Sequence, residues 1–354
     1  MQLIDIGWDE DFQRRLESLQ PNGLAPARVV KQNRLDYVVW GEIGELTSEL
    51  SGRYRHAAVS KSDLPAVGDW VAVAARAAEG RGTIHGLVPR RSAFVRKVAG
   101  VVTAEQVVAA NIDTAFIVVG LDGNFNLRRI ERYLALAWES GASPVVILNK
   151  SDLCADSEEH RLAVESVAPG VEVHLTSAAS IHGIDALSSS LVRGKTAVFL
   201  GSSGVGKSSI INRLIGDDRL KVGEVSEADS RGRHTTTFRE LILLPNGGIV
   251  IDTPGMRELQ VWGDEDGLRQ AFEDIEQLAA GCRFRDCTHT NEPGCAALEA
   301  ISAGVLEQNR LDSYLKLKKE MRYLVSRQSM KASAVEKARW KAISQRVKKW
   351  KSDA

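Results

Sequence analysis

Long apolar runs are missing from this 354-residue chain: nowhere do 18 apolar residues follow one another, which excludes a hydrophobic membrane-spanning helix. Cysteine is scarce, with four in all, too few for a disulfide framework. The opening MQLIDIGWDEDF is acidic and lacks the apolar stretch of a secretory leader. The expected setting is therefore the cytoplasm, where thiols stay reduced. Internal repeats and low-complexity tracts are also lacking. With 44% hydrophobic and 26% charged residues, the chain has an ordinary globular balance and is long enough for two or three domains of roughly 150 residues each.

Net charge is absent too, 46 basic residues against 46 acidic ones, but this hides a segregation. Residues 1–27 carry −3, residues 28–98 carry +5, residues 99–304 carry −11 and residues 305–354 carry +9. An acidic middle flanked by basic segments can grip a polyanion at two ends, although solvated charged faces are the plainer reading. The same cuts mark changes of pattern. Residues 1–27 read as an arm with a helix near Asp9–Ser18. Residues 28–98 hold short β-rich runs (ARVVKQ, LDYVVWGEI, ELTSELSGRYR, DWVAVAA, GTIHGLV) and predict a small barrel containing Tyr37, Trp40, Tyr54 and Trp70. Residues 99–265 alternate buried strands with helices such as 127–139 and 207–215, which predicts an α/β domain with a mainly parallel sheet. Residues 266–354 combine a Cys/His cluster with a basic helical tail.

Two loops of the α/β block carry chemistry. Gly201, Ser202, Ser203, Gly204, Val205, Gly206, Lys207 and Ser208 fit the phosphate-loop pattern G-x-x-x-x-G-K-[ST], placed after the strand TAVFL and opening the helix SSIINRLI. Backbone N–H groups would wrap the phosphates as far as Ser209, Lys207 would reach the β- and γ-phosphates, and the Ser208 hydroxyl would bind Mg²⁺. The second loop is Asn149-Lys150-Ser151-Asp152, after PVVIL. A carboxylate at Asp152 can accept from guanine N1 and N2, a donor pair adenine lacks. Asn149 can meet the imidazole edge and the Lys150 stem can cover the base, while Thr176-Ser177-Ala178 offers a third wall with a backbone N–H toward O6. By itself each short match is also compatible with an ordinary turn after a strand.

Asp252-Thr253-Pro254-Gly255 ends the strand GIVID, so Asp252 could hold Mg²⁺ through water and the Gly255 N–H could meet the γ-phosphate. Between the two phosphate elements lies Gly232-Arg233-His234-Thr235-Thr236-Thr237. Thr236, or a neighbouring Thr, is the candidate to ligate Mg²⁺ when the γ-phosphate is present. Many GTPases place a water-orienting Gln after DxxG; here Met256 stands there and cannot do it. His234 is the candidate to orient the water, with contact to RNA phosphate or plain packing as the alternatives.

These motifs stand in an unusual order: NKSD and TSA precede the phosphate loop, TTT and DTPG. A circularly permuted GTPase behind a small barrel and ahead of a Cys/His cluster resembles the RsgA (YjeQ) family of small-ribosomal-subunit biogenesis GTPases, over about residues 28–300. The resemblance implies an OB-type barrel, contact with rRNA and GTP hydrolysis stimulated by the small subunit. It also implies a zinc site of Cys282, Cys287, His289 and Cys295, three thiolates and an imidazole within 14 residues. Such a set suits a closed, structural tetrahedral ion by its own chemistry. The alternatives are buried thiols beside an unrelated His, or a disulfide. Cations of the tail, from Lys316 to Lys351 with Trp340 and Trp350 among them, suit RNA or the ribosome, and Arg53, Arg55, Arg90, Arg91, Arg96 and Lys97 of the barrel are secondary candidates. A monomer is expected. Rival functions are an RNA-binding module with a structural nucleotide, and a GTPase of another pathway.

Overall fold

A computed structural model describes residues 1–19, 23–98, 104–217, 239–252 and 265–322. His234, Thr235, Thr236, Thr237, Gly255, Met256 and the tail beyond residue 322 lie outside the described residues. The chain parts into two compact units, Met1–Gln260 and Val261–Ala354. Among the described residues no helix is long and apolar enough to cross a membrane.

The first unit opens with the barrel. Strands β1 (Ala25–Gln32), β2 (Tyr37–Gly41), β3 (Gly44–Leu50), β4 (Trp70–Arg76) and β5 (Arg81–Leu87) pair in the order 1-2-3-5-4 and close through β1–β4. Only β3–β5 is parallel, the pairing of an OB-type barrel. Alternating residues Val29, Val39, Leu46, Val73 and Ile84 fill the interior. The run ELTSELSGRYR is not one strand as its composition suggested. It stops at Leu50, because the Ser51 hydroxyl accepts the Tyr54 N–H at 3.2 Å and starts the helix Gly52–Ala57. The arm is folded: Asp9 caps the helix Glu10–Glu17, whose Phe12 and Leu16 bury against the outward face of Trp70.

Hairpin β6 (Ala93–Val98) and β7 (Ala104–Ala110) leads into the α/β sheet. There β8 (Thr114–Gly120), β9 (Ser143–Asn149), β10 (Glu172–Leu175), β11 (Thr196–Leu200), β12 (Glu240–Leu243) and β13 (Ile249–Asp252) lie in the order 10-9-8-11-13-12. All pairs are parallel except β12–β13. The central strands β8, β9 and β11 are buried on both faces, hence their near-continuous apolar sequence. Strand order reverses at β8, which places a crevice at the carboxyl ends of β8, β9 and β11, where ligands of such sheets bind.

Barrel and sheet are joined at Arg28. Its guanidinium is fully buried and donates to the carbonyls of Gly68 (3.2 Å), Ile6 (2.5 Å) and Asn111 (3.2 Å) and to Thr196 Oγ1 (2.8 Å), so arm, barrel and the start of β11 share one cation. Burial brings its pKa down to about 10.

The second unit is helical: Glu265–Ala271, Glu273–Ala279, Ala296–Ser302 and residues 308–322. Leu306, Leu311, Leu317 and Met321 are buried together with Phe272 and Tyr314, and Leu315 is half-buried. Arg310 holds Asp274 through two nitrogens at 2.6 and 2.7 Å.

Candidate functional site

The carboxyl ends of β9, β10 and β11 bring NKSD, TSA and the phosphate loop around one cavity of about 330 Å³. Asn149, Lys150, Asp152, Ser177, Ala178, Gly206 and Ser209 all line it. Motifs separated by 57 positions in the chain, Asn149 to Gly206, are thus one site.

Asn149 is the tie. It is 1% exposed. Its amide nitrogen donates to Val205 O at 2.8 Å, and its amide oxygen accepts from Thr176 Oγ1 and Ala178 N, both at 3.2 Å. Three of its four hydrogen-bonding positions therefore serve protein loops, and a single N–H is left for a base edge. The sequence suggested a base contact; the structure adds a scaffolding task and leaves one N–H of Asn149 for that contact. Asp152 is exposed at the cavity, acceptor-only and open to a ligand's N–H pair. Lys150 adopts φ 65°, which turns its stem along the cavity, and its ammonium pairs with the carboxylate of Asp122. Ser151 N donates to Thr176 O at 3.1 Å, and Ser177 bridges back to His182.

The phosphate loop needs glycine where backbones converge. A Cβ on Gly201 would stand 2.3 Å from Val118 O, and one on Gly206 would stand 2.2 Å from the Asn149 amide nitrogen. Both residues also have positive φ, 143° and 98°. Gly206 directly precedes the helix Lys207–Ile215, so its first N–H groups face the loop and attract anions. The Lys207 ammonium donates to Gly201 O (2.8 Å) and Ser202 O (2.5 Å), carbonyls that phosphate oxygens would replace as partners. Ser203 and Gly204 are exposed at the loop's crest, while Ser202, Ser208 and Ser209 are half-buried. Burial pushes the Asp252 carboxyl up, and the Lys207 ammonium is the nearby charge that pulls it back. A divalent cation beside Ser208 and Asp252 would hold that carboxylate ionised, so oxygen ligands of the kind Mg²⁺ requires are at hand.

In the second unit Cys282, Cys287, His289 and Cys295 place their ligand atoms within 4.8 Å of one another. Measured pairs are Cys282 Sγ–Cys295 Sγ 3.9 Å, Cys282 Sγ–His289 Nδ1 3.6 Å and His289 Nδ1–Cys295 Sγ 3.4 Å. A tetrahedral zinc with bonds of about 2.3 Å to sulfur and 2.0–2.1 Å to nitrogen separates S–S by about 3.8 Å and S–N by about 3.5 Å. The residues fit the ion. His289 reaches it by taking φ 56°, a conformation sequence spacing does not reveal.

Three contributors escaped the motif search. Asp122 pairs with Lys150, Arg129 donates to Ser202 Oγ at 3.0 Å, and Arg213 donates to Ala178 O at 3.0 Å. None belongs to a recurring pattern; only their placement reveals them. Conversely, two barrel arginines offered for RNA are paired with the protein's own carboxylates. Arg90 grips buried Asp69 at 2.7 Å, and Arg91 spans Asp9 and Asp11. Arg53 and Arg55 are exposed.

Residues 87–262 match the family model described as RsgA GTPase. A protein of Opitutus terrae named small ribosomal subunit biogenesis GTPase RsgA is 47% identical, over 98% of this chain and 96% of its own. A relative of the same name from Syntrophotalea carbinolica is 42% identical, over 100% and 99%. Among solved structures, YjeQ from Thermotoga maritima superposes with a TM-score of 0.66 at 27% identity, covering 84% of this chain and 98% of that one. YloQ, described as a circularly permuted GTPase, gives 0.61 at 27% identity, covering 84% and 95%.

Proposed function

This chain belongs to the RsgA GTPase family and is a GTP hydrolase, and on that premise we propose that it acts in biogenesis of the small ribosomal subunit. It binds the subunit late in maturation, is stimulated by it, and changes affinity with its nucleotide state. The observation that carries this reading is the cavity in which the NKSD carboxylate and the phosphate loop meet, in a chain 47% identical to one named for that role.

Each residue takes a defined task. Asp152 reads guanine N1 and N2, Ala178 and Ser177 wall the O6 edge, and Lys150 covers the base. The N–H groups from Gly201 to Ser209, with Lys207, hold the phosphates, and Gly255 meets the γ-phosphate. Ser208 and Thr236 hold the Mg²⁺ that accompanies GTP, with Asp252 behind it; that ion supplies charge neutralisation on the phosphates. His234 orients the attacking water, since Met256 cannot. Cys282, Cys287, His289 and Cys295 hold one structural zinc.

rRNA of the subunit is the partner we assign to Arg53, Arg55 and the basic residues from Lys316 onward. Of the latter, Lys316, Lys319 and Arg322 are exposed, while Lys318 donates to Tyr314 Oη at 2.5 Å. We place the protein in the cytoplasm as a monomer. Phosphate release from GTP tests the reading, measured alone and with purified small or large subunits at several salt concentrations. Stimulation by the small subunit only, fading with salt, supports it. Stimulation by neither removes the ribosome from the mechanism, and an unchanged stimulated rate in His234→Ala removes His234.

A further inference from the structure

Between β8 and the helix Leu127–Ser140 runs a loop, 121–126, that no motif includes. It leaves the sheet at the strand flanked by β9 and β11, the two strands that deliver NKSD and the phosphate loop. Its contacts run to both. On one side, Leu121 N donates to Asn149 O at 2.9 Å, and the Asp122 carboxylate pairs with the Lys150 ammonium. On the other, Asn124 Oδ1 accepts Arg129 Nη1 at 2.5 Å, and that same nitrogen donates to Ser202 Oγ at 3.0 Å. One polar path thus runs from Lys150 through Asp122, the loop, Asn124 and Arg129 to Ser202.

We infer that the loop 121–126 is a working part of the nucleotide site, in which Asp122 and Arg129 are positioning residues that couple seating of the base to seating of the phosphates. The inference rests on reading NKSD and the phosphate loop as the two halves of the site. Its physics is direct. A lysine stem has four rotatable bonds, and anchoring its head to Asp122 fixes where the stem lies over the base. Ser202 sits beside Gly201, in a stretch rich in glycine, so a guanidinium holding its hydroxyl removes freedom the glycines allow. Because the loop is six residues long with a grip at each end, displacement at one grip loads the other.

The test compares wild type with Asp122→Asn, Arg129→Met, Arg129→Lys, Ser202→Ala and the Arg129→Met/Ser202→Ala pair in the full-length protein. Affinities for GDP, IDP and GMP are measured by isothermal titration, with thermal melts alongside. IDP lacks the 2-amino group that Asp152 reads, and GMP lacks the β-phosphate. Arg129→Met and Ser202→Ala should each lower GDP affinity about fivefold, since a hydrogen bond to a charged group is worth about tenfold before solvent screening. The double variant should be no weaker than Arg129→Met, and Arg129→Lys should recover most of the loss. The mark of coupling is crossed: Arg129→Met narrows the GDP-over-IDP preference about threefold, and Asp122→Asn narrows the GDP-over-GMP preference by about as much. Equal losses for all three nucleotides, or none, would overturn the inference. Ser202→Ala removes only a hydroxyl and carries the test if the arginine variants melt early. Lys207→Ala is the control for the premise: wild-type GDP binding in that variant would remove the phosphate-loop reading itself, whatever the loop 121–126 does.

Discussion

The nucleotide cavity and the Cys/His knuckle both hold several loops at fixed distances, and they do it by different means. Around the cavity, one buried amide, Asn149, ties three loops with neutral hydrogen bonds. It can do so because two of those loops, NKSD and the phosphate loop, stand on strands buried in a large core, β9 and β11. The Cys/His knuckle has no strand among the described residues of its unit. Its ligands sit between two seven-residue helices, Glu273–Ala279 and Ala296–Ser302, too short to be stable alone. Three thiols and an imidazole within 4.8 Å gain little from one another, and an ion bound among them would supply the missing energy. A polar hub can be weak where buried strands already hold its loops, whereas ligands carried on short segments need a strong one.

The contrast breaks most visibly if zinc is removed. Chelation, or Cys295→Ser, should unfold the knuckle while GDP binding by the first unit persists, because structural zinc contributes about 10–16 kcal/mol of apparent folding energy. Metal analysis, limited proteolysis and GDP titration check this together. Acid should act in the same direction. Protons compete with the ion for three thiolates and an imidazole, so the stability of this segment should be lost as pH falls, which zinc retention across a pH series would show.

Asn149→Ala sharpens the other side. It strands the Val205 carbonyl and two buried donors, and should cost about 3 kcal/mol in a denaturant melt, far less than zinc loss yet enough to weaken GDP binding at least tenfold. Asp152→Asn should leave stability alone and change only recognition. GDP affinity falls by about 100-fold, while xanthosine diphosphate, whose C2 carbonyl can accept from the new amide, gains. Titration with both nucleotides decides it. The smallest effects separate the barrel arginines. Arg53→Ala with Arg55→Ala should shift stability by under about 0.5 kcal/mol and flatten the salt dependence of subunit binding. Arg90→Met strands buried Asp69, and its melt should show a loss of about 3 kcal/mol.

Much of this was legible beforehand. Strand and helix placement in the α/β block followed from apolar runs, and the helix Lys207–Ile215 stands where its motif predicted. Motif order alone revealed the permutation, because each motif names its own loop whatever its place in the chain. Local chemistry was misread where a short polar signal competed with composition, as at Ser51, whose hydroxyl turned a β-rich run into a helix.

By itself, then, the sequence determined which chemistry is on offer: a carboxylate suited to guanine, a phosphate-loop pattern and four residues able to ligate a metal, all defined by residue types at fixed local spacing. Tertiary structure decided which polar groups are free to use it. Arg53 and Arg90 look alike in sequence, and only folding buried Asp69 beside one of them. Asn149 looked like a base reader, and only the meeting of three strand ends made it a tie. Asp122 and Arg129 looked like nothing, because partners 28 and 73 positions away leave no periodic trace in the chain. Hydrogen bonds between distant segments depend on how strands are ordered in the sheet, and that ordering is set by the collective burial of the core.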